Sequence, residues 1–133
     1  MENRVIIDTN ILIDLLRNKS NAVEFFDRMQ TNTTATTDIN AFELYFGAYK
    51  SKKQEKNLAS AKGLLNSLIL FTTSEDAMEI AGKIMARLEE EGRSIEIRDL
   101  LIGAIAMTNG FGVATNNVEH FKRIEGLEVI KPY

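Results

Sequence analysis

The chain has 133 residues, a length typical of one domain, and its 44% hydrophobic and 26% charged residues are ordinary for a globular protein. The lack of cysteine excludes disulfides and thiolate metal sites, and the formal net charge of −3 excludes a surface that binds nucleic acid by being basic throughout. No apolar run approaches the roughly 18 residues of a membrane helix and no secretion signal is visible, so we expect one cytoplasmic domain over residues 1–133, without membrane contact.

The first predicted strand, Val5-Ile6-Ile7, is followed directly by polar residues. Three consecutive apolar residues are typical of a parallel strand that is buried on both faces. Asp8-Thr9-Asn10 then precedes a helix predicted over residues 11–17. In open α/β sheets ligands bind at this edge, beyond the carboxyl ends of the strands. All three residue types also cap helices, and this stretch alone favours a cap.

The next elements are a helix, a short strand and a second helix. Ser20 or Asn21 can cap the first of them. Its inner face is predicted to consist of Val23, Phe26 and Met29. A strand is predicted near residues 33–36, where β-branched residues are frequent. Asp38 or Thr37 caps the following helix, and we expect its apolar stripe to face the core. This stripe consists of Ile39, Phe42, Phe46 and Tyr49.

Glu43 lies on the border of that stripe. It is about 40° from Ile39 on a helical wheel of roughly 100° per residue, so it does not point straight to solvent. A carboxylate in such a place needs partners, because burying it unpaired is costly. The alternative is that the stem of the side chain covers apolar surface while its carboxylate reaches water.

Four lysines provide the best basic patch of the chain: Lys50, Lys52, Lys53 and Lys56. They are predicted to span the end of one helix, a turn and the start of the next helix, which continues over residues 58–65. Such a run is usually only a solvated surface, but here it is also the best candidate for contacts to phosphate groups.

A strand predicted over residues 68–71 leads into a long helix, which is capped by Thr73 or Ser74 and ended by Gly92. The apolar stripe of this helix consists of Ala77, Ile80, Ala81, Ile84, Met85 and Leu88. We expect the stripe to pack in the core of its own chain, since any surface helix needs one such face; a dimer contact is the alternative.

A further carboxylate stands at the start of a strongly apolar helix. Residues 94–98 are predicted to form a short polar connection, after which Asp99 opens a helix over residues 100–107. This helix is apolar on all sides, so we expect it to be buried, and the helix dipole favours the negative charge of Asp99 at its start. Gly103 in the same helix permits close approach of another element.

Two more strands complete the predicted sheet. Residues 110–114 are predicted to form a turn into a fourth strand, which ends at Thr115-Asn116-Asn117. A short turn through His120 and Phe121 then leads to a last strand over residues 127–130. His120 has no predicted role beyond local hydrogen bonding. Strands that alternate with helices predict an α/β fold with a central, mostly parallel sheet of four to five strands flanked by helices.

Four side chains with oxygen donors lie at element ends or face inward in this arrangement: Asp8, Glu43, Asp99 and Asn117. Carboxylates placed together repel one another, so such a cluster is stable mainly when a cation neutralises it. Oxygen donors without thiols select Mg²⁺ or Mn²⁺ over zinc. These residues are therefore typical of a site for metal-assisted hydrolysis of a phosphodiester.

Four segments resemble, in order and spacing, the motifs of PIN-domain ribonucleases, specifically the VapC-type toxins of toxin–antitoxin pairs. The segments are Ile6-Ile7-Asp8-Thr9-Asn10-Ile11-Leu12-Ile13-Asp14-Leu15-Leu16, Asn40-Ala41-Phe42-Glu43-Leu44-Tyr45-Phe46-Gly47, Asp99-Leu100-Leu101-Ile102-Gly103-Ala104-Ile105-Ala106 and Thr115-Asn116-Asn117-Val118-Glu119-His120-Phe121. Each segment alone is a weak signal, but the four together are specific and cover essentially the whole chain.

The resemblance implies a three-layer PIN fold and gives roles to particular residues. Asp8, Glu43 and Asp99 match the acidic residues that bind metal, and Asn117 matches the fourth catalytic position of the family. Because Asn117 is neutral, the number of metal ions, one or two, stays open. The residues that match supporting polar positions are Thr9, Asn10 and Thr115.

The resemblance also implies an activity and partners. Family behaviour implies endonucleolytic cleavage of RNA with Mg²⁺ or Mn²⁺, a homodimer, and inhibition by a cognate antitoxin protein that fills the acidic pocket. The lysine patch would then contact the RNA backbone. Gly103 stands where the family usually has alanine, a departure that we expect to be harmless.

Two alternatives remain open at this point. Haloacid-dehalogenase-like phosphatases also place an aspartate after the first strand of an α/β sheet, but they normally have a second aspartate where Asn10 stands, and no downstream lysine motif is evident. A non-catalytic binding module could instead use the acidic pocket to hold a basic side chain of a partner.

Overall fold

Five short parallel strands form the centre of the protein in a computed structural model, which describes residues 3–29 and 33–133. The strands are β1 (Arg4–Ile7), β2 (Thr33–Thr37), β3 (Ile69–Phe71), β4 (Gly112–Ala114) and β5 (Val129–Ile130). The helices in these residues are α1 (Thr9–Leu16), α2 (Ser20–Arg28), α3 (Asp38–Lys50), α4 (Gln54–Asn66), α5 (Glu75–Glu90), α6 (Ile97–Asn109) and α7 (Val118–Phe121). None of these helices is long and apolar enough to cross a bilayer.

The order of the strands places the end of β1 next to the end of β4. The sheet has the order β3-β2-β1-β4-β5, and each of its pairings within the described residues is parallel, as predicted. The chain moves outward from β1 on one side through β2 and β3, and β4 then pairs with the opposite side of β1. Such a reversal opens a crevice beyond the carboxyl ends of the strands.

The core lies on both faces of the sheet, because successive residues of β1 point in opposite directions. Ile6 packs into a cluster with α5, α6 and α7, whereas Val5 and Ile7 pack into a second cluster with the helices α1 to α4. The result is the predicted three-layer α/β arrangement. Helix α5 lies along α6, and its apolar stripe packs against the first cluster, as expected for an intramolecular core.

Helix α3 corrects one prediction. Its aromatic residues Phe42, Phe46 and Tyr49 are 66%, 54% and 60% exposed, so most of the predicted inner stripe faces outward. The buried side of the helix consists instead of Asn40, Ala41, Leu44 and Ala48. Small residues on that side let α3 pack closely on its neighbour α4. The periodicity indicated a helix correctly but could not decide between its two apolar faces.

Two further differences concern helix faces and ends. In α2 the buried residues are Ala22 and Phe25, followed by Met29 after the helix, while Val23 and Phe26 are only partly buried. Helix α6 begins at Ile97, three residues before the predicted helix over residues 100–107. Arg98 therefore belongs to the first turn of a helix and not to a polar connection.

Candidate active site

Asp8 stands at the carboxyl end of β1 and is 1% exposed. Its Oδ1 accepts from the backbone N–H of Thr9 at 2.8 Å, so it caps α1 as the local pattern indicated. Its Oδ2 accepts from the hydroxyl of Thr115, at the end of β4, at 2.6 Å. Asp8 also faces the crevice between β1 and β4, so the same side chain caps a helix and lines the cleft.

Asp99 lies in the first turn of α6 and is likewise 1% exposed. Its Oδ2 accepts from Nδ2 of Asn117 at 3.3 Å and lies 3.1 Å from Nδ1 of His120. Asn117 is in turn fixed by its own backbone N–H, which donates to Thr115 Oγ1 at 2.9 Å. His120 thus borders the site, a position that the sequence analysis did not assign to it.

Glu43 approaches from the middle of α3 and completes a group of three carboxylates. The hydroxyl of Thr9 donates to its Oε1 at 2.5 Å. Burial opposes ionisation of Glu43, but the hydrogen bonds from Arg98 and Thr9 outweigh burial and hold the pKa of this carboxyl below its ordinary value. Glu43 is therefore an anion at neutral pH.

Arg98 is the residue that the sequence analysis missed, and its guanidinium joins all three carboxylates. Nη2 donates to Asp8 Oδ1 at 2.6 Å, and Nη1 donates to Asp99 Oδ1 at 2.7 Å. Nε and Nη2 both donate to Glu43 at 2.8 Å, in a two-pronged contact. Arg98 was predicted to lie in a polar connection, and such a segment does not indicate that a side chain turns inward. The available clue was its position next to Asp99.

Asn40 is a second residue without a predicted role, although it is the first residue of the PIN-like segment 40–47. It is fully buried, and its Nδ2 donates to Thr9 Oγ1 at 2.8 Å and to Asp8 Oδ1 at 3.2 Å. Its Oδ1 accepts from the hydroxyl and the backbone N–H of Thr37, which closes a capping box at the start of α3. A Thr-x-x-Asn pattern at a helix start is the signal that could have identified it.

The cleft brings together the predicted acidic and polar residues. Within an opening of about 450 Å³, the predicted site residues that line the wall are Asp8, Thr9, Asn10, Glu43, Asp99 and Asn117. Thr115 lies behind this wall, bonded to Asp8. Asn10 is exposed at the rim and makes no described hydrogen bond to the three carboxylates.

The four predicted lysines lie at the end of α3, in the turn that follows it and in the first turn of α4. Lys56 lines a groove of about 270 Å³ that also contains Glu43, so it lies next to the cleft. Lys50 Nζ stands 5.2 Å from the ring centre of Phe46, a residue that also lines the cleft. Lys52 and Lys53 line a second hollow at the start of α4, and Lys56 lines this hollow as well.

The chemistry of this donor set fits Mg²⁺ or Mn²⁺, although its present arrangement does not. Three carboxylates, an amide and two hydroxyls supply oxygen donors, and Mg²⁺ needs only one or two protein carboxylates beside water and substrate oxygens. As the side chains stand, however, no three His, Cys, Asp or Glu within residues 3–29 and 33–133 are arranged to hold an ion. The guanidinium of Arg98 engages an oxygen of each carboxylate that an ion would need.

Known proteins match this chain over nearly its whole length. The family model described as "PIN domain" matches residues 5–127. The tRNA(fMet)-specific endonuclease VapC of Shigella flexneri is 30% identical over 124 residues, covering 93% of this chain and 94% of that protein. Ribonuclease VapC2 of Rickettsia felis is 30% identical over 91% of this chain and 92% of its own length.

Solved structures give the same result. The structure of DNA-bound VapBC from Salmonella typhimurium superposes with a TM-score of 0.88 at 30% identity, over 98% of this chain and 99% of the other. That of VapBC2 from Rickettsia felis, bound to a DNA fragment from its promoter, has a TM-score of 0.85 at 29% identity, over 94% and 96% of the two chains. A domain model matched over nearly the whole length, together with these relatives, shows that the chain belongs to the PIN-domain family, as a member of the VapC type.

Proposed function

We propose that this protein is a metal-dependent endoribonuclease and the toxin of a toxin–antitoxin pair. The observation that carries the proposal is the meeting of Asp8, Glu43 and Asp99, from three separate elements, around one guanidinium at the carboxyl edge of the sheet. Relatives named as endonuclease or ribonuclease VapC support the choice of RNA as the substrate.

The residues that would hold Mg²⁺ or Mn²⁺ are Asp8 and Asp99, with Glu43 as a third ligand and Asn117 beside them. When bound, such an ion supplies a nucleophilic water at neutral pH and offsets the charge that develops on the leaving oxygen. The chain contributes the oxygen donors, and hydrogen bonds from Arg98 and Thr9, acting against burial, hold the pKa of one of them, Glu43, below its ordinary value.

The polar neighbours orient these carboxylates. Thr115 fixes Oδ2 of Asp8, and Asn117 fixes Oδ2 of Asp99, so that the Oδ1 atom of each aspartate faces the cleft. Thr9 does the same for Glu43. Side chains held this way lose little freedom when substrate binds, which is what precise positioning requires.

The lysines adjoining the cleft are proposed to contact the RNA backbone. Lys56 shares a groove with Glu43, and Lys50 stands over the aromatic ring of Phe46, so both can approach phosphates on either side of the cleaved bond. Lys52 and Lys53 lie farther along the same turn and would extend the contact. Neutral substitutions of these residues should lower the salt dependence of RNA binding.

The proposed protein partners are a cognate antitoxin and a second copy of the chain, in the cytoplasm. An exposed aromatic face on α3 supports a protein contact. The stacked rings of Phe42 and Phe46 have their centres 6.1 Å apart, and the exposed Tyr49 extends the same face. Exposed aromatic groups of this kind are typical of interfaces. Light scattering of the isolated chain at several concentrations tests the homodimer, and copurification with the product of the neighbouring reading frame tests the antitoxin.

The test of the activity is cleavage of RNA by purified variants in the presence of Mg²⁺ or Mn²⁺. Asp8→Asn and Asp99→Asn should each lower the rate by at least about 100-fold, since even residues that merely support a metal ligand cost 10–100-fold. Asp27→Asn, an exposed aspartate on α2, is the matched control and should cleave at the normal rate. Full activity of either cleft variant, with circular dichroism unchanged, would overturn the proposal.

The same preparations decide between this proposal and the two alternatives. Turnover of a generic phosphomonoester with Mg²⁺, without RNA cleavage, would favour the phosphatase, for which the relatives described above give no support. The absence of both RNA cleavage and calorimetric heat on addition of metal would favour a binding module.

A further inference from the structure

The arginine in the acidic cleft has a role beyond that of a structural ion pair. We propose that Arg98 is a built-in counter-cation that competes with the divalent ion for Asp8, Glu43 and Asp99, so that metal loading requires its guanidinium to leave the cleft. This inference rests on the proposed metal-dependent function and adds a regulatory step to it.

Arg98 and a divalent ion would need the same oxygen atoms. Arg98 donates from each of its three side-chain nitrogens, and the acceptors include the cleft-facing Oδ1 of Asp8 and of Asp99. Three carboxylates face one guanidinium, so two formal negative charges in this group remain uncompensated. A divalent cation is therefore attracted to the group, but it can ligate these oxygens only after the guanidinium has moved.

Arg98 can leave the cleft while Asp8 and Asp99 stay in place. Its side chain is 27% exposed at the mouth of the cleft, whereas those of Asp8 and Asp99 are each 1% exposed. The residues that follow it in α6, including Leu100 and Ile102, are buried and anchor the helix. Rotation about the side-chain bonds is thus sufficient, and the backbone of α6 need not move.

Asp8 and Asp99 keep other hydrogen bonds after Arg98 leaves the cleft. Asp8 keeps its bonds from Thr9, Asn40 and Thr115, so its orientation does not depend on the arginine. Asp99 likewise keeps its contact with Asn117. The two aspartates therefore keep their orientation without Arg98, which offsets one of the negative charges of the cleft when no ion is bound.

The direct test is calorimetric titration of metal-free protein with MnCl₂. Arg98→Gln should bind Mn²⁺ at least about tenfold more tightly than the unmodified protein, which corresponds to the loss of a competitor worth about 1.4 kcal/mol. Arg93→Gln is the matched control, because it changes the net charge equally at an exposed arginine of the preceding loop. Its Mn²⁺ affinity should stay within about twofold, since the field of an exposed charge is screened.

A second measurement uses the unmodified protein. In metal-free protein the Nε–H of Arg98 donates to Glu43, so its NMR signal should be resolved and protected from exchange with water. Addition of MgCl₂ should shift this signal toward that of a free arginine and remove the protection, in parallel with saturation. A signal that stays unchanged while Mg²⁺ binds would overturn the proposal.

Other outcomes are equally decisive. Equal Mn²⁺ affinities of Arg98→Gln and the unmodified protein would overturn the competition but leave metal-dependent cleavage standing. Unchanged metal affinity with weaker RNA binding would overturn it in favour of a phosphate-binding arginine. No Mn²⁺ binding by either protein would overturn both the competition and the proposed metal dependence.

Arg98→Lys keeps the test usable if the glutamine variant does not fold without metal. A lysine keeps the charge but is a single point donor that cannot reach three carboxylates as the guanidinium does. Its Mn²⁺ affinity should therefore lie between those of the unmodified protein and the glutamine variant. Folding of Arg98→Gln only after Mn²⁺ is added, followed by circular dichroism, would itself support the proposal, because the ion then replaces the missing cation. Arg98→Lys with unmodified affinity would contradict it.

Discussion

Asn40 and Thr9 connect the two helices that flank the cleft: Nδ2 of Asn40 on α3 donates to Oγ1 of Thr9 on α1 over 2.8 Å. The same Thr9 hydroxyl donates to Oε1 of Glu43 at 2.5 Å, so Thr9 links Asn40 to Glu43 by hydrogen bonds. Both side chains are buried, so the position of Glu43 depends on a bond that solvent does not replace. Buried neutral polar groups therefore fix the position of the acidic side chain of Glu43 in the cleft.

Removal of the Asn40 amide should destabilise the protein. Asn40→Ala leaves the buried hydroxyl of Thr37 and the carboxylate of Asp8 with fewer partners, so we expect the free energy of unfolding to fall by about 2 kcal/mol. Urea denaturation measures this value. Asn66→Ala, at the exposed end of α4, is the control and should change the stability by less than about 0.5 kcal/mol. Equal effects of the two substitutions would show that the network contributes nothing.

Thr115 should matter for activity more than for stability. Thr115→Val removes the donor to Asp8 and the acceptor for the backbone N–H of Asn117, and we expect RNA cleavage to fall about 10–100-fold. Thr115→Ser retains the hydroxyl and should restore most of the rate. A valine variant as active as the serine variant would contradict the orienting role.

Gly103 should show energetic coupling to Ile124. A Cβ at position 103 would run into Cδ1 of Ile124, which is 2% exposed. Gly103→Ala should therefore destabilise the protein by about 1 kcal/mol, because overpacking outweighs the gain in helix propensity. In an Ile124→Val background, which lacks that methyl group, the same substitution should be neutral or stabilising. Additive effects in the double-mutant cycle would contradict this coupling.

The contact between Tyr133 and Asp14 should give a defined pH dependence. Tyr133 donates to Asp14 Oδ2 at 2.6 Å. This bond, against the opposing effect of burial, lowers the pKa of Asp14, while burial and the same bond raise the pKa of Tyr133 to about 12. The lowered pKa adds stability that is present above 3.8, the ordinary pKa of an aspartate, and is lost as the pH falls through the folded-state pKa. The raised pKa adds stability that is present below 10.0 and is lost as the pH rises toward about 12.

Tyr133→Phe should therefore cost about 1–2 kcal/mol between roughly pH 4 and pH 10, with the cost shrinking outside this window. Urea denaturation at a series of pH values measures the difference. Tyr49→Phe, at a position that is 60% exposed, serves as the control and should show no such window. If the loss of unfolding free energy caused by Tyr133→Phe kept growing above pH 10, the raised pKa of Tyr133 could not be its cause.

The sequence predicted most of the elements and the convergence of the acidic residues. Consecutive apolar residues in β1 and the all-round apolarity of α6 leave few alternatives for either segment, and parallel strands bring their carboxyl ends to one edge. The outward face of α3 was not predictable, because Phe42 and Phe46 satisfy the helical period as well as Ala41 and Leu44 do. Tertiary packing makes that choice.

Arg98 could not be placed from the sequence for a different reason. The direction of a long charged side chain depends on which charges surround it in space, and the carboxylates around Arg98 come from positions 8, 43 and 99. Once these three are brought together, an arginine beside one of them has strong electrostatic reasons to turn inward. The convergence of the three carboxylates was predictable from the sequence. The partial neutralisation of their charge by an arginine of the same chain was not.

The brevity of the outermost strands limits how other proteins can attach. Strand β3 has three residues and β5 has two, and Pro132, which has no N–H to donate, follows β5 closely. An incoming peptide would find little edge on which to add itself as a sixth strand. Recognition of this protein should therefore proceed through side chains on the helices and in the cleft, and an inhibitor designed as a strand mimic should bind poorly.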